Sequence, residues 1–329
     1  MHLPAEWERH SHTWMGFPRT TYGASTSLTD ARTAWANVAR AIAPFEPVRM
    51  VVHPENRDEF TALLGDVVEP LFLEIDDAWL RDTGPTFVVG DGELIAVDWT
   101  FNGWGGQAWA SWSHDARVAR AIAEFQLPSG SIVHSPLVNE GGGIEVDGAG
   151  LLVLTETVQL DPGRNPGWSR DDVAREMSAQ LGTDEPIWIP HGLAGDYGEF
   201  ATRGHVDLVV KFCAPGIALV HHQENPDHPD FGYFSVVEKL LKDRGVEVIA
   251  LPGPKTVTVD DELCDWSYVN CTLVNGGLIV GTYDDPADDR AMEILSEAFK
   301  GRTIIPVDAR TLFSLGGGVH CITQQVPQP

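Results

Sequence analysis

The sequence predicts an α/β fold arranged as a closed or stacked array of repeated units, each a two-stranded hairpin followed by a helix. Three observations predict it. A polar cluster, an apolar strand, a Gly- or Asp-rich turn and a second apolar strand recur five times in the 329 residues. Helical patterns lie between the hairpins. The hairpins begin near Arg81, Asn139, Gly204, Ser267 and Gly316, with start-to-start spacings of 58, 65, 63 and 49. A unit repeated at so even a period cannot bury its apolar face alone and must stack on its neighbours. Residues 1–329 are therefore expected to form one ring-shaped domain, although length alone would suggest two.

The first hairpin runs Thr86 to Val89, turns at Gly90-Asp91-Gly92-Glu93 and returns over Leu94 to Val97. The second pairs Ile144–Val146 with Leu151–Leu154 about Asp147-Gly148-Ala149-Gly150. The third pairs Leu208–Cys213 with Ile217–Val220, and the fourth Cys271–Val274 with Leu278–Val280 about Asn275-Gly276-Gly277. Asp-Gly and Asn-Gly turns supply the positive φ that a reversing strand needs. The fifth, opening at Gly316-Gly317-Gly318, is cut short by the C-terminus. Helices are expected over 31–42, 114–125, 169–181, 233–244 and 286–299. Ser169 with Asp172 is an N-cap signature, Pro286 suits a first turn, and Gly245 and Gly301 stand where C-caps belong.

Composition limits the function. With 22 Lys+Arg against 48 Asp+Glu, the formal charge is −26. Such a surface repels phosphate backbones and anionic headgroups, so nucleic-acid and membrane partners are disfavoured and a cationic small molecule is favoured. No basic leader or long apolar run marks export or a membrane span, so a cytoplasmic location is the expectation. Four cysteines with no C-x-x-C pair read as thiols, three as core filler and one as a candidate nucleophile. Whether the chain forms a homo-oligomer is left open.

Radial closure would bring the first residues of each hairpin together, and with them Asp82, Glu140, His205, Asp207, Asn270 and Cys321. Cys321 follows three glycines and His320 at the edge of the last strand, where nothing bulky blocks a substrate. Alternation predicts His205 and Asp207 on one strand face. A thiol, an imidazole and two carboxylates suit a planar cation: the carboxylates can fix a terminal guanidinium by parallel N–H bonds while its carbon faces the thiolate. Papain-like proteolysis also pairs Cys with His but needs no second carboxylate.

The motifs Pro4-Ala5-Glu6-Trp7-Glu8, Asp77-Ala78-Trp79-Leu80-Arg81-Asp82-Thr83-Gly84-Pro85, Phe101-Asn102-Gly103-Trp104-Gly105-Gly106, Glu140-Gly141-Gly142, Asn165-Pro166, Gly204-His205-Val206-Asp207, Ser267-Tyr268-Val269-Asn270 and Gly316 to Gln325 run almost end to end. In them the chain resembles the agmatine deiminase and bacterial peptidylarginine deiminase family of guanidino-group-modifying enzymes. The resemblance implies the pentein fold, a five-fold pseudo-symmetric α/β propeller of ββαβ-type units. It implies Cys321 as nucleophile, His205 as general acid and base, and Asp82 and Asp207 as guanidinium clamps. Trp79, Glu140, Asn270, Arg203 and Trp104 are expected to contact substrate. The activity implied is hydrolysis of a small cationic guanidino compound, agmatine to N-carbamoylputrescine and ammonia, with no metal or cofactor. Another guanidino substrate, amidino transfer to an amine, and a non-catalytic binding ring are the alternatives.

Two departures bear on substrate. Many relatives place an acidic residue four positions before the histidine, where this chain has Ala201, with Arg203 nearby; that pair is expected to favour a guanidino acid over agmatine if the lost carboxylate reads the tail. The alternative is that Glu199 takes over. A Cys-containing stretch of the family is replaced by Glu156-Thr157-Val158-Gln159. His221, His222 and His228, with Asp227 and Asp230, read as a loop rather than a metal site.

Overall fold

The computed structural model describes residues 1–21, 25–127, 131–259 and 262–329. The first sheet holds β1 (His10–Gly16), β2 (Val48–Val52) and β3 (Glu69–Phe72), all mutually parallel. The second takes β4 (Thr86–Gly90), β5 (Glu93–Thr100) and β6 (Ile132–Val138), and the third β7 (Glu145–Val146), β8 (Leu152–Thr155) and β9 (Ile187–Ile189). The fourth takes β10 (Val210–Ala214), β11 (Ile217–His222) and β12 (Glu247–Pro252). A short antiparallel pair, β13 (Thr258–Val259) with β14 (Glu262–Leu263), precedes the last sheet of β15 (Thr272–Val274), β16 (Gly277–Thr282) and β17 (Thr303–Asp308). In each of these four three-stranded sheets the expected hairpin is antiparallel and the third strand joins parallel to the second. Parallel pairing needs a crossover, which the helices Val118–Gln126, Arg170–Leu181, Tyr233–Lys242 and Asp288–Ala298 supply.

The hairpin read as cut short at the C-terminus is in fact completed from the other end of the chain. β18 (Thr323–Pro327) pairs antiparallel with β1, Met15 opposite Thr323 and Trp14 opposite Gln324. The first sheet is thus the fifth unit, and its crossover helix is Leu28–Ile42. Neither β2 and β3 nor the helix Arg57–Leu64 follows a hairpin turn, so the repeat did not reveal them. Among the described residues the sheets remain separate, and none closes on itself.

Local chemistry sets several of the helix ends. Ser169 accepts from the Asp172 amide while Asp172 accepts from the Ser169 amide, the capping box expected from the sequence. Gly182 ends the same helix at φ +68, a conformation that glycine adopts without steric cost. Pro286 lies ahead of its helix instead of in the first turn, because Asp288 ties back the Tyr283 and Asp285 amides and starts the helix there. Trp14, Met15 and Phe17 of the β1 segment are fully buried, as are Ala218, Leu219 and Val220 of β11.

What positions the site is a set of short helical turns just before the hairpins. The turns Leu80–Thr83, Gly141–Gly143, Val206–Leu208 and His320–Ile322 pack on one another in sequence-distant pairs. Two expectations are corrected here. His205 and Asp207 do not alternate along a strand, since β10 begins only at Val210; His205 caps the 3₁₀ turn in which Asp207 lies. Cys321 sits in a turn that ends just before β18, and not on the strand edge. A tight turn lets two polar side chains with one residue between them, His205 and Asp207, reach a common centre while the backbone enters the sheet.

Candidate active site

Asp82, Glu140, His205, Asp207, Asn270 and Cys321 are brought together and are all buried. Cys321 Sγ lies 3.7 Å from Asp207 Oδ2, and Asn270 Nδ2 donates to the sulfur at 3.3 Å. Asn270 Oδ1 accepts the His320 amide at 3.0 Å, so the asparagine holds the turn that carries the thiol. A Cβ at Gly317 would stand 3.1 Å from the sulfur and 2.9 Å from the Trp79 ring, which shows why the approach to the thiol is lined by glycine.

Asp82 is held by the Gly142 amide at 3.1 Å on Oδ1 and by the Trp104 indole at 2.9 Å on Oδ2. Each of its oxygens retains a lone pair for a further donor. Asp207 takes His320 Nδ1 on Oδ2 at 2.8 Å, and its Oδ1 is buried without a protein partner. His205 Nε2 meets Glu140 Oε2 at 3.3 Å, while Nδ1 faces Asp82 Oδ1 at 3.7 Å and forms no hydrogen bond. A buried carboxylate oxygen left open, as Asp207 Oδ1 is, is costly unless a donor-rich ligand fills the space.

The charges are strongly coupled. Burial pulls the His205 imidazole down, but Asp82, Glu140 and Asp207 outweigh it and push it up to about 9. Burial raises the Asp82 carboxyl to about 6 against the attraction of His205. Asp207 is lowered despite burial, because His320 donates to it. Burial, with Asp207 and Asp82 adding repulsion, drives the Cys321 thiol well above its usual range. By themselves these groups therefore favour a thiol beside an imidazolium. A guanidinium entering between the carboxylates would reverse the repulsion and stabilise the thiolate.

The sequence-derived contact residues divide into three groups. Asn270 touches the thiol, Trp104 touches Asp82, and Glu140 touches His205, so these three hold reactive groups in place. Trp79 is buried and packs edge-on against Trp35 at 5.2 Å between rings, lining a narrow cleft with Asp77 and Phe200 beside the thiol loop. Arg203 lies at the surface and apart from the buried cluster: its residue is exposed, its backbone is left-handed at φ +68, and its amide turns to Asp196. The cause is Asp196, whose carboxylate accepts from Thr202, Gly204 and His205 and curls the segment so that Arg203 faces out. Glu199 is exposed as well, and Ala201 is buried with its carbonyl bonded to Gln107. Arg203→Ala is accordingly expected to leave the ratio of kcat/KM for agmatine and 4-guanidinobutyrate within about twofold of the parent, since an exposed cation is screened by solvent. A steady-state comparison of the two substrates checks it.

Arg164 is not singled out by the sequence, although it adjoins the Asn165-Pro166 motif. Its Nε donates to both Glu140 oxygens at 3.0 Å, another nitrogen reaches Asp161 at 3.1 Å, and a third the Thr202 carbonyl at 2.6 Å. This lowers the Glu140 carboxyl and keeps it an acceptor for His205. A loop arginine carries no periodicity, so only its neighbours in space disclose its task. In the histidine loop His221 Nδ1 meets Ser267 Oγ at 3.0 Å, and among the described residues no three His, Cys, Asp or Glu side chains are placed to hold an ion. No helix among them is long and apolar enough to cross a membrane.

Known proteins match this chain along almost its whole length. A Streptomyces coelicolor protein, provisionally assigned as an agmatine deiminase, is 49% identical over 99% of this chain and 98% of its own. The agmatine deiminase of Stutzerimonas stutzeri is 37% identical, covering 100% of this chain and 96% of its own. The solved agmatine deiminase of Enterococcus faecalis superposes with a TM-score of 0.92 at 30% identity, covering 99% of this chain and 96% of that one. At the level of fold alone, a dimethylarginine dimethylaminohydrolase from Pseudomonas aeruginosa also matches, with a TM-score of 0.52. Residues 2–327 match the family described as Porphyromonas-type peptidyl-arginine deiminase, and the chain belongs to that family.

Proposed function

We propose that this protein is a deiminase that hydrolyses the guanidino group of a small cationic substrate, agmatine first, to N-carbamoylputrescine and ammonia. The observation that carries it is the buried Cys321 thiol, 3.7 Å from Asp207 with Asp82 and His205 grouped beside it. In this reading Asp82 and Asp207 clamp the guanidinium, desolvated and in plane, so that its central carbon faces Cys321. The thiolate attacks, His205 gives its proton to the departing ammonia, and an S-alkylthiouronium forms. Water, deprotonated by His205, then attacks that carbon, the C–S bond breaks, and the ureido product leaves. Positioning and charge carry most of the rate, because guanidinium is a poor electrophile. The five larger sheets are taken as the units of one five-fold α/β propeller serving as a single catalytic domain; the pairing of the first and last strands supports this.

Agmatine fits better than a guanidino acid. Arg203 faces outward, and the cleft beside Trp79 carries the buried carboxylate of Asp77, which suits an ammonium tail. Ammonia release from agmatine, arginine, peptidyl-arginine and 4-guanidinobutyrate, with no amine acceptor added, tests the proposal. Release dependent on an added amine would make the enzyme an amidinotransferase, and no release from any of them a binding ring.

The pH dependence follows from Asp82 and His205. Below about 6 Asp82 gains a proton and loses its hold on the cation; above about 9 His205 loses the proton it must donate. A plot of kcat/KM is expected to fall on both sides, and Glu140→Gln to move the alkaline limb to lower pH, because the charge that retains the imidazole proton is gone. An unmoved alkaline limb in that variant would mean that another group sets it.

A further inference from the structure

The N-terminal segment places one carboxylate on the far side of the thiol turn, where the proposed reaction has no use for it. Glu6 Oε1 accepts the Leu273 amide at 2.8 Å, and its Oε2 meets both His320 Nε2 at 3.1 Å and the Lys211 ammonium. The other ring nitrogen of His320 meets Asp207 Oδ2 at 2.8 Å. Cys321, Asp207, His320 and Glu6 thus form one unbroken row, joining residues 314 positions apart in sequence at its outer contact. Two carboxylates flank one imidazole, so the ring is fixed in plane and tilt, and it fixes Asp207 in turn. The consequence at the site is specific: His320 takes up Asp207 Oδ2 and leaves Oδ1 open.

Resting on the deiminase reading above, we propose that Glu6 is a positioning residue for substrate capture: through His320 it locks Asp207 with one oxygen free to receive the planar cation. Neutralising Lys211 alone would not need this geometry, because Lys211 has a second carboxylate in its surroundings. Glu145, buried and bonded to the Phe212 amide at 2.7 Å, also attracts the ammonium. Glu145 is pushed up to about 7 by burial and by the neighbouring Glu6, so removing the Glu6 charge makes Glu145 a better counter-ion. Glu6 borders a polar cavity of about 30 Å³ with Arg81, Glu145 and Gln324, and an isosteric amide fits there without steric change.

The test compares two reagents that alkylate the same thiol, cationic chloroacetamidine and neutral iodoacetamide. Only the first needs a correctly presented Asp207. Glu6→Gln is expected to lower the ratio of their inactivation rates at least about tenfold, with the melting temperature read in parallel and Glu6→Asp restoring part of the ratio. A folded Glu6→Gln protein with the parent ratio overturns the proposal. Should that variant fail to fold, the ratio in His320→Gln decides by the same criterion. If the parent protein itself shows no preference for the amidine, the deiminase reading fails first, so the two failures are distinct.

Discussion

Cys321→Ala is expected to abolish ammonia release from agmatine, by at least about 10⁴-fold in kcat, while the circular dichroism and melting transition stay close to those of the parent. The loss is large because the proposed cycle opens by forming the C–S bond and closes by breaking it, and carboxylates that only hold a guanidinium leave it unreactive. The fold is spared because the sulfur hangs from a turn beside glycines, so deleting it opens little volume. Acid-quenched parent enzyme should carry an amidino adduct on Cys321 by peptide mass spectrometry. The other thiols are poor competitors: burial pushes Cys213 and Cys264 up to about 11 and Cys271 to about 12, and no substrate cation would sit beside them to draw them down. An adduct on any of those three would overturn the assignment.

Asp82→Asn and Asp207→Asn are each expected to cost at least about a hundredfold in kcat/KM, since a desolvated charge-assisted pair is worth roughly 3 kcal/mol or more. The two changes should also act in the opposite direction on a neutral probe. Both carboxylates raise the Cys321 thiol, so removing either one should increase thiolate and speed iodoacetamide alkylation at fixed pH. A structural cap would behave otherwise, with turnover and alkylation falling together or neither changing. Asp207→Asn has a further consequence that Asp82→Asn lacks. An amide facing His320 Nδ1 can present a donor to a donor, so this variant is expected to melt lower.

The hairpins were legible because their turns are local chemistry. Gly148, Gly216 and Gly276 adopt the positive φ that reversal demands, at +72, +70 and +82. The Ser169 cap and the crossover helices were legible for the same reason. The hairpin starts pointed to the cluster of Asp82, Glu140, His205, Asp207, Asn270 and Cys321, and the resemblance gave four of them roles. What those starts looked like was not legible. Period-two reasoning placed His205 and Asp207 on a strand, whereas side-chain packing among four hairpin entries bends each into a helical turn.

Arg203 shows the limit most plainly. Its proximity in sequence to His205 suggested a part in reading the tail, but Asp196 gathers the surrounding amides and turns it to solvent. Arg164 and Glu6 show the converse, because neither lies near the hairpin starts, yet both hold groups that do. The repeat, the residue types of the site and the sign of the charge it would attract were readable from the chain alone, since periodicity, turn chemistry and net charge are local or summed properties of its residues. Which carboxylate grips Arg164, which ring faces Asp82, and how β1 completes the last unit depended on the packing of the units. Those contacts join residues from 22 to more than 300 positions apart, and no local pattern encodes their geometry.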